Sequence, residues 1–419
     1  MLVLVLFGLL LTIGVPIGIS TGFSALLFMQ FEAGRSPSAI VQAMFSGVDS
    51  FALMAIPFFI FAGDIMLKGG VSRRLIELAK KLVGWTKGGL PVTGVLSSMF
   101  FAALSGSSPA TVAAIGGIMI PSMEEAKYTK QFSVGLMCAS GSLGIIIPPS
   151  ITLLVYGVVA EESISRLFLA GIFPGIFIGL ILIIVGYIIS RKQPYIAEPF
   201  PSMIQIARAF RKSFWGLMMP VIVLGGIYSG AFTPTEAAAV AVAYSLFVSL
   251  FIYKELKLSE VLLIAKKSVT ISAVIMFIIA NAKILSRYLT FRMVPTQLAE
   301  LILQYATTPV GVLIMINILL LLFGMIMDPS AAVIILAPLF LPAVTALGVD
   351  PIHFGVIMIV NLAIGMVTPP FGLNLYVAAG IGKMSVAQVT RAVFPFIIVL
   401  IAALFIITFV PALSLTLIR

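Results

Sequence analysis

The stretch SGSSPAT, residues 105–111, and its counterpart MDPSAA, residues 327–332, are short, polar, proline-bearing breaks inside otherwise apolar runs. At such a break the backbone N–H and C=O groups lose their helical partners, and hydrocarbon supplies none in exchange. An interruption at membrane depth is tolerated only where it is buried in protein or lines a cavity. These two stretches are therefore the first places to look for a ligand.

About 30 residues beyond each lies a second break: SGSLGIIIPPS, residues 140–150, and NLAIGMVTPPFGLN, residues 361–374. Pro109 and Pro329 stand 220 positions apart, as do Gly135 and Gly355; the Pro148-Pro149 and Pro369-Pro370 pairs, and Phe173-Pro174 and Phe394-Pro395, stand 221 apart. So small a drift in register points to a duplicated unit. Paired broken helices at corresponding positions of two halves are the sequence mark of a transporter's central site.

Composition agrees. Of 419 residues, 61% are hydrophobic and 10% charged, and the mean hydropathy is +1.21. A soluble domain cannot hide that much apolar surface, so the chain is expected to be an all-α polytopic membrane protein. The net charge of +10 falls in short clusters between apolar spans, which is the signature of cytoplasmic loops rather than of nucleic-acid binding. The single cysteine, Cys138, rules out an internal disulfide and a cysteine-based metal cluster. The single histidine, His353, follows Pro351 at the start of an apolar run and reads as a helix-end residue.

Taken in order, residues 2–29 read as a retained first span, bent by Gly14, Pro16 and Gly18, followed by a short connection bearing Glu32, Arg35 and Asp49. A second span lies near 51–67. Residues 68–87 hold six positive charges against Glu77, with Leu75, Leu78 and Leu82 at helical spacing, so 73–83 reads as a cytoplasmic amphipathic arm helix. Residues 88–122 give two apolar arms of about 15 residues, too short to span at about 1.5 Å per residue, and so a re-entrant hairpin. A broken span at 132–160 follows, then a return at 166–190 to a cluster in 191–212 with five positives against Glu198.

The predicted organisation is thus a first unit, 1–212, a linking span, 213–234, and a second unit, 235–419. The positives Lys254, Lys257, Lys266 and Lys267 bring the chain back to the cytoplasm. An odd number of crossings separates the units, so the second is inverted. Its arm helix, 295–305, repeats the first (VPTQLAEL against VSRRLIEL), but residues 287–309 carry only +1 from Arg287 and Arg292 against Glu300, as a periplasmic position requires. A hairpin at 309–342 and a broken span at 353–378 complete the unit.

At a helix interruption, carbonyls and Ser or Thr hydroxyls can replace the hydration shell of a sodium ion, and half-helix N-termini can attract a carboxylate. The sodium candidates are Ser105, Ser108, Gly144, Ile147 and Pro149 in the first unit. In the second they are Gly324, Asp328, Gly365, Thr368 and Pro370. The substrate candidates are Ser107, Pro109, Thr111, Asp328, Ser330, Pro369 and Asn374. The plain alternative is that these small residues only let helices pack closely. Among ionisable residues within apolar runs, Asp64, Glu236, Lys283, Arg287 and Asp328, the last is the sharpest because it sits at a hairpin tip; its plain alternative is a helix N-cap. No HExxH, GxxxxGK[ST] or GxGxxG pattern supports an enzyme. A passive anion channel built from the paired half-membrane loops remains the rival to a carrier.

LGIIIPPSITLLVYG (143–157), GAFTPTEAAAVA (230–241) and TPPFGLNLYVAAGI (368–381) together resemble signatures of the large membrane subunit of TRAP transporters, the tripartite ATP-independent periplasmic type. The resemblance runs over essentially the whole chain and departs at MDPSAA. It implies sodium-driven import of an organic acid, such as a C4-dicarboxylate or sialic acid, across a bacterial inner membrane. It also implies an elevator mechanism, a small four-helix membrane subunit and a periplasmic substrate-binding protein as partners, and sodium sites at the hairpins and broken spans.

Overall fold

Glycine, proline and short polar residues set the helix ends along this chain, and among the described residues every regular element is helical. The computed structural model describes residues 2–32, 34, 36–194, 199–305 and 308–418; the predicted loop charges Arg35 and Glu198 lie outside them. The expected bent first span is two helices, α1 (Leu2–Thr12) and α2 (Ile17–Phe31), with Pro16 as the N-cap of the second. Proline fits there because the first helical turn leaves its N–H groups unpaired in any case. The expected short connection is a helix, α3 (Pro37–Val48), started by Ser36, whose Oγ accepts from Ala39 N at 3.3 Å.

Next come α4 (Ala55–Lys68), entered through a 3₁₀ turn, and the amphipathic arm α5 (Val71–Val83). The arm buries Val71, Leu75, Ile76 and Leu78, but Leu82 is exposed. Ser213 Oγ donates to the Arg74 carbonyl at 2.7 Å. The Arg74 guanidinium lies 3.8 Å from the centre of the Tyr253 ring and 2.6 Å from Glu255 Oε1.

The first hairpin is α6 (Gly89–Ser105), α7 (Ser108–Thr111), a π turn at Val112–Gly116, and α8 (Gly117–Glu125), three residues longer than predicted. Gly106, at φ +57°, closes α6 in the left-handed conformation that favours glycine. The first broken span is α9 (Lys130–Gly141), α10 (Leu143–Ile146) and α11 (Ile151–Val159), bent by 40°. Helix α12 (Ile164–Ser190) follows.

Helix α13 (Met203–Tyr228) begins well before the predicted linking span, because Ser202 and Gln205 form a capping box; Arg208, Arg211 and Lys212 therefore lie on the helix. In α14 (Pro234–Phe247), Glu236 accepts from Thr233 N at 2.8 Å and completes another capping box. It is exposed, and its carboxylate is engaged in this cap. Helix α15 (Leu258–Phe291) runs for 34 residues and leaves Lys283 and Arg287 exposed.

The remaining long helices are α16 (Val294–Tyr305), α17 (Pro309–Gly324), α18 (Pro329–Ala346), α19 (Pro351–Gly365), α20 (Leu373–Gly382) and α21 (Val386–Phe409), before a last short turn at Ala412–Leu415. Their order and breaks repeat those of α5 to α12, and both Pro-Pro bonds, 148-149 and 369-370, are cis. The matched elements interleave. Helix α9 packs on α21, α17 on α19 and α11 on α18, while α15 lies along α2, α3, α4 and α18. The Tyr156 hydroxyl donates to the Pro351 carbonyl at 2.6 Å, and its ring fills the space beside Gly355. Lipid is as apolar as these side chains, so close packing and such hydrogen bonds hold the helices together.

His353 is indeed a helix-end residue: Asp350 caps α19, and His353 Nε2 lies 3.2 Å from the Thr408 carbonyl. Cys138 is fully buried in α9. Among the described residues, six helices are long and apolar enough to cross a membrane, or seven with the bent pair taken as one.

Candidate functional site

The tips of both hairpins open onto one cavity of ≈ 670 Å³. Ser105, Ser107 and Pro109 come from the first tip, Asp328 and Ser330 from the second, and Ile145, Ile151, Thr152 and Met366 from the broken spans. The facing wall is α4, with Ile60 and Asp64, and α15, with Lys267, Thr270 and Ile275. Five of the predicted site residues therefore meet at one place, although about 220 residues separate the two tips in sequence.

At the first tip the hydroxyls knit the break together. Ser105 Oγ lies 3.1 Å from Thr111 Oγ1, and Thr111 donates to the Ser107 carbonyl at 2.9 Å. Thr111 itself is buried behind the tip. At the second tip Asp328 caps α18, its Oδ1 accepting from Ser330 N at 2.9 Å and Ala331 N at 3.4 Å. The cap and the cavity position belong to the same carboxylate, so the two readings of Asp328 are not alternatives.

Other predicted residues form a layer behind the cavity. Gly144 packs against the Ser107 carbonyl and Thr111, Gly365 lies on Gly324, and the Pro149 carbonyl faces Gly106. Ile147 covers Gly175 of α12. Thr368 Oγ1 donates to the Ile364 carbonyl at 2.7 Å, while Pro369 and Pro370 are exposed and do not reach the cavity.

Nor does Asn374 reach it. Its Nδ2 donates to Ser108 Oγ at 2.7 Å, and Ser108 donates to the Gly141 carbonyl at 2.9 Å, a link between the halves buried at both ends. Either Ser108→Ala or Asn374→Ala should lower the stability of the purified protein by about 1–3 kcal/mol, because each leaves a buried partner unpaired. The double variant should cost clearly less than the two single costs added together. Simple additivity in thermal unfolding would show that the bond carries no coupling.

The donor set suits a hard cation. Interrupted backbone carbonyls and hydroxyls are oxygen ligands of the kind such ions take, and no group of three or more His, Cys, Asp or Glu side chains is brought together among the described residues. What the sequence reading missed is the α4/α15 wall. From sequence, Asp64 is one of several ionisable residues in apolar runs and Lys267 marks only topology; no periodicity shows that residues about 200 apart form one wall.

The pattern described as "Tripartite ATP-independent periplasmic transporter, DctM component" matches residues 4–413. The C4-dicarboxylate TRAP transporter large permease protein DctM of Pseudomonas aeruginosa is 46% identical over 398 residues, covering 95% of this chain and 93% of that one. The isethionate TRAP transporter permease protein DctMQ of Oleidesulfovibrio alaskensis is 44% identical, and the match covers 97% of this chain and 64% of that longer protein. The sialic acid TRAP transporter large permease protein SiaM of Vibrio cholerae is 37% identical, over 97% of this chain and 96% of its own. Among solved structures, the Alcanivorax borkumensis YdaH transporter superposes with a TM-score of 0.66 at 13% identity, over 90% of this chain and 88% of that one; this likeness speaks for the fold alone. The chain belongs to the DctM component family of tripartite ATP-independent periplasmic transporters and is a large permease subunit of that type.

Proposed function

We propose that this subunit couples the inward movement of sodium to import of an organic anion across the bacterial inner membrane. The observation that carries the reading is the cavity at which both hairpin tips face the α4/α15 wall. Interrupted backbone and hydroxyls occur there in duplicate, which suits ions bound on both hairpin and broken-span elements. Helices α6 to α12 with α17 to α21 form the moving part of an elevator, and α2 to α4 with α13 to α15 the scaffold. The two units are inverted, and α6–α8 and α17–α18 are re-entrant from opposite faces. The additional length of the DctMQ relative is read as a fused small subunit. The partners proposed for this chain are a small four-helix membrane subunit and a periplasmic binding protein.

The test is uptake of an organic acid into proteoliposomes holding this chain, its small subunit and the loaded binding protein, titrated with sodium. Uptake that ignores sodium would sink the symport and favour a channel. For the orientation, cysteine at Leu82, exposed on α5, and at Thr296, exposed on α16, should react with impermeant reagents from opposite faces; buried Cys138 gives no background. Labelling of both from one face would overturn the inverted arrangement.

A further inference from the structure

The wall opposite the hairpin tips carries an ion pair with unequal partners. Lys267 Nζ on α15 lies 3.4 Å from Asp64 Oδ1 on α4, and Ser268 Oγ donates to Asp64 Oδ2 at 3.2 Å. The Asp64 side chain is 15% exposed and both its oxygens are engaged, whereas Lys267 is 65% exposed. An ammonium has three donors. One faces Asp64, which leaves the others for the cavity.

Lys267 is the one Lys or Arg among the described residues lining that space, and its neighbours on α15 are largely apolar. An organic anion that enters such a cavity loses hydration and needs a compensating charge. The carboxylate of Asp328 on the hairpin wall repels the anion, so the attraction comes from the opposite side. A long lysine on its own would swing toward the nearest water. Asp64 and Ser268 act against that by holding the head of the side chain at the cavity wall.

We propose that Lys267, positioned by Asp64 and Ser268, is a specificity-determining contact that takes the carboxylate or sulfonate head of the substrate. The proposal rests on the transport reading above and deepens it. Because α4 and α15 belong to the scaffold, the contact exists only while the hairpin tips stand against them. Lys267 therefore loads or releases substrate without travelling with it. The ion-binding elements lie on the other wall, so Lys267 should set anion affinity and leave sodium affinity alone.

The experiment uses the purified complex of this chain with its small subunit and follows thermal stabilisation by succinate, isethionate and sialic acid, each titrated at fixed sodium. Sodium is then titrated in the absence of acid, where coupling to the anion cannot shift its midpoint. Lys267→Gln should require about tenfold more of the stabilising acid, equivalent to about 1.4 kcal/mol, with the sodium midpoint unchanged. Lys267→Arg, which keeps the charge, should stay close to the wild type, and Asp64→Asn should fall between the two. An unchanged acid titration in Lys267→Gln, with the wild type responding normally, would overturn this assignment and leave the transport reading standing. A wild type that responds to none of the three acids would count against both.

Discussion

Gly144→Val and Gly365→Val are expected to abolish the proposed sodium-driven uptake while leaving the protein in the membrane. A Cβ on Gly144 would lie 2.4 Å from the Ser107 carbonyl oxygen and 2.7 Å from Thr111 Oγ1, so it would push directly on the first hairpin tip. A Cβ on Gly365 would lie 2.3 Å from the Gly324 carbonyl carbon, where the second hairpin meets its broken span. In both cases the obstacle is backbone, which cannot rotate away as a flexible side chain could. Overpacking of this kind costs about 1–3 kcal/mol, and here the strain falls on the carbonyls proposed to hold sodium. Misplacing ligands by about 1 Å is enough to lose orders of magnitude in a positioned site. Gly380→Ala is the control, because a Cβ there meets nothing within 4 Å. Sodium curves in the two valine variants that match the wild type would place the ion sites elsewhere.

These two glycines also show how far the sequence could be read. Their positions follow from the 220-residue repeat and from the neighbouring Pro-Pro pairs, but the sequence suggests that an unwound segment needs glycine for its backbone freedom. In the structure neither residue has positive φ; Gly144 lies in α10 and Gly365 ends α19. Close approach of another backbone is what requires glycine at both. A pattern of Gly and Pro reveals that a break exists, because local geometry decides it. Which backbone approaches the break is a tertiary fact with no local signal.

The same distinction runs through the rest of the chain. The arm helix α5 was legible because its apolar spacing and its charge are local, and the helix breaks at 105–111 and 327–332 because they are marked by proline and serine. The helix α3 was missed although Ser36 and Pro37 spell a helix start, because three flanking charges drew the reading toward a loop. The substrate candidates divided in a similar way. Ser107, Pro109, Asp328 and Ser330 at the tips reach the cavity, while Thr111 is buried behind the first tip and Asn374, which the motif places beside a break, turns to the opposite half and bonds Ser108. The α4/α15 wall was the least legible part, since Asp64 and Lys267 meet across about 200 residues of intervening chain.

Asp328 offers the second large effect, and the structure makes it possible to separate its two roles. Through Oδ1 it caps α18 at Ser330 N and Ala331 N, and the same carboxylate puts a negative charge on the cavity wall. Asparagine keeps an oxygen acceptor of the same size and is among the best N-caps, whereas alanine at such a position costs about 1 kcal/mol. Asp328→Asn should therefore unfold at nearly the wild-type temperature and still lose most of its uptake. Asp328→Ala should lose both. The expected fall in uptake for Asp328→Asn is about tenfold or more, because under the proposed symport the cotransported cation loses a charge partner worth at least about 1.4 kcal/mol in a partly dry site. The sodium concentration for half-maximal uptake should rise with it, since that quantity reports the missing charge and not the cap. An asparagine variant with full uptake and an unshifted sodium midpoint would reduce Asp328 to its capping role. A midpoint that moves only in the alanine variant would trace the effect to the start of α18, where the backbone, not the carboxylate, would then be holding the ion.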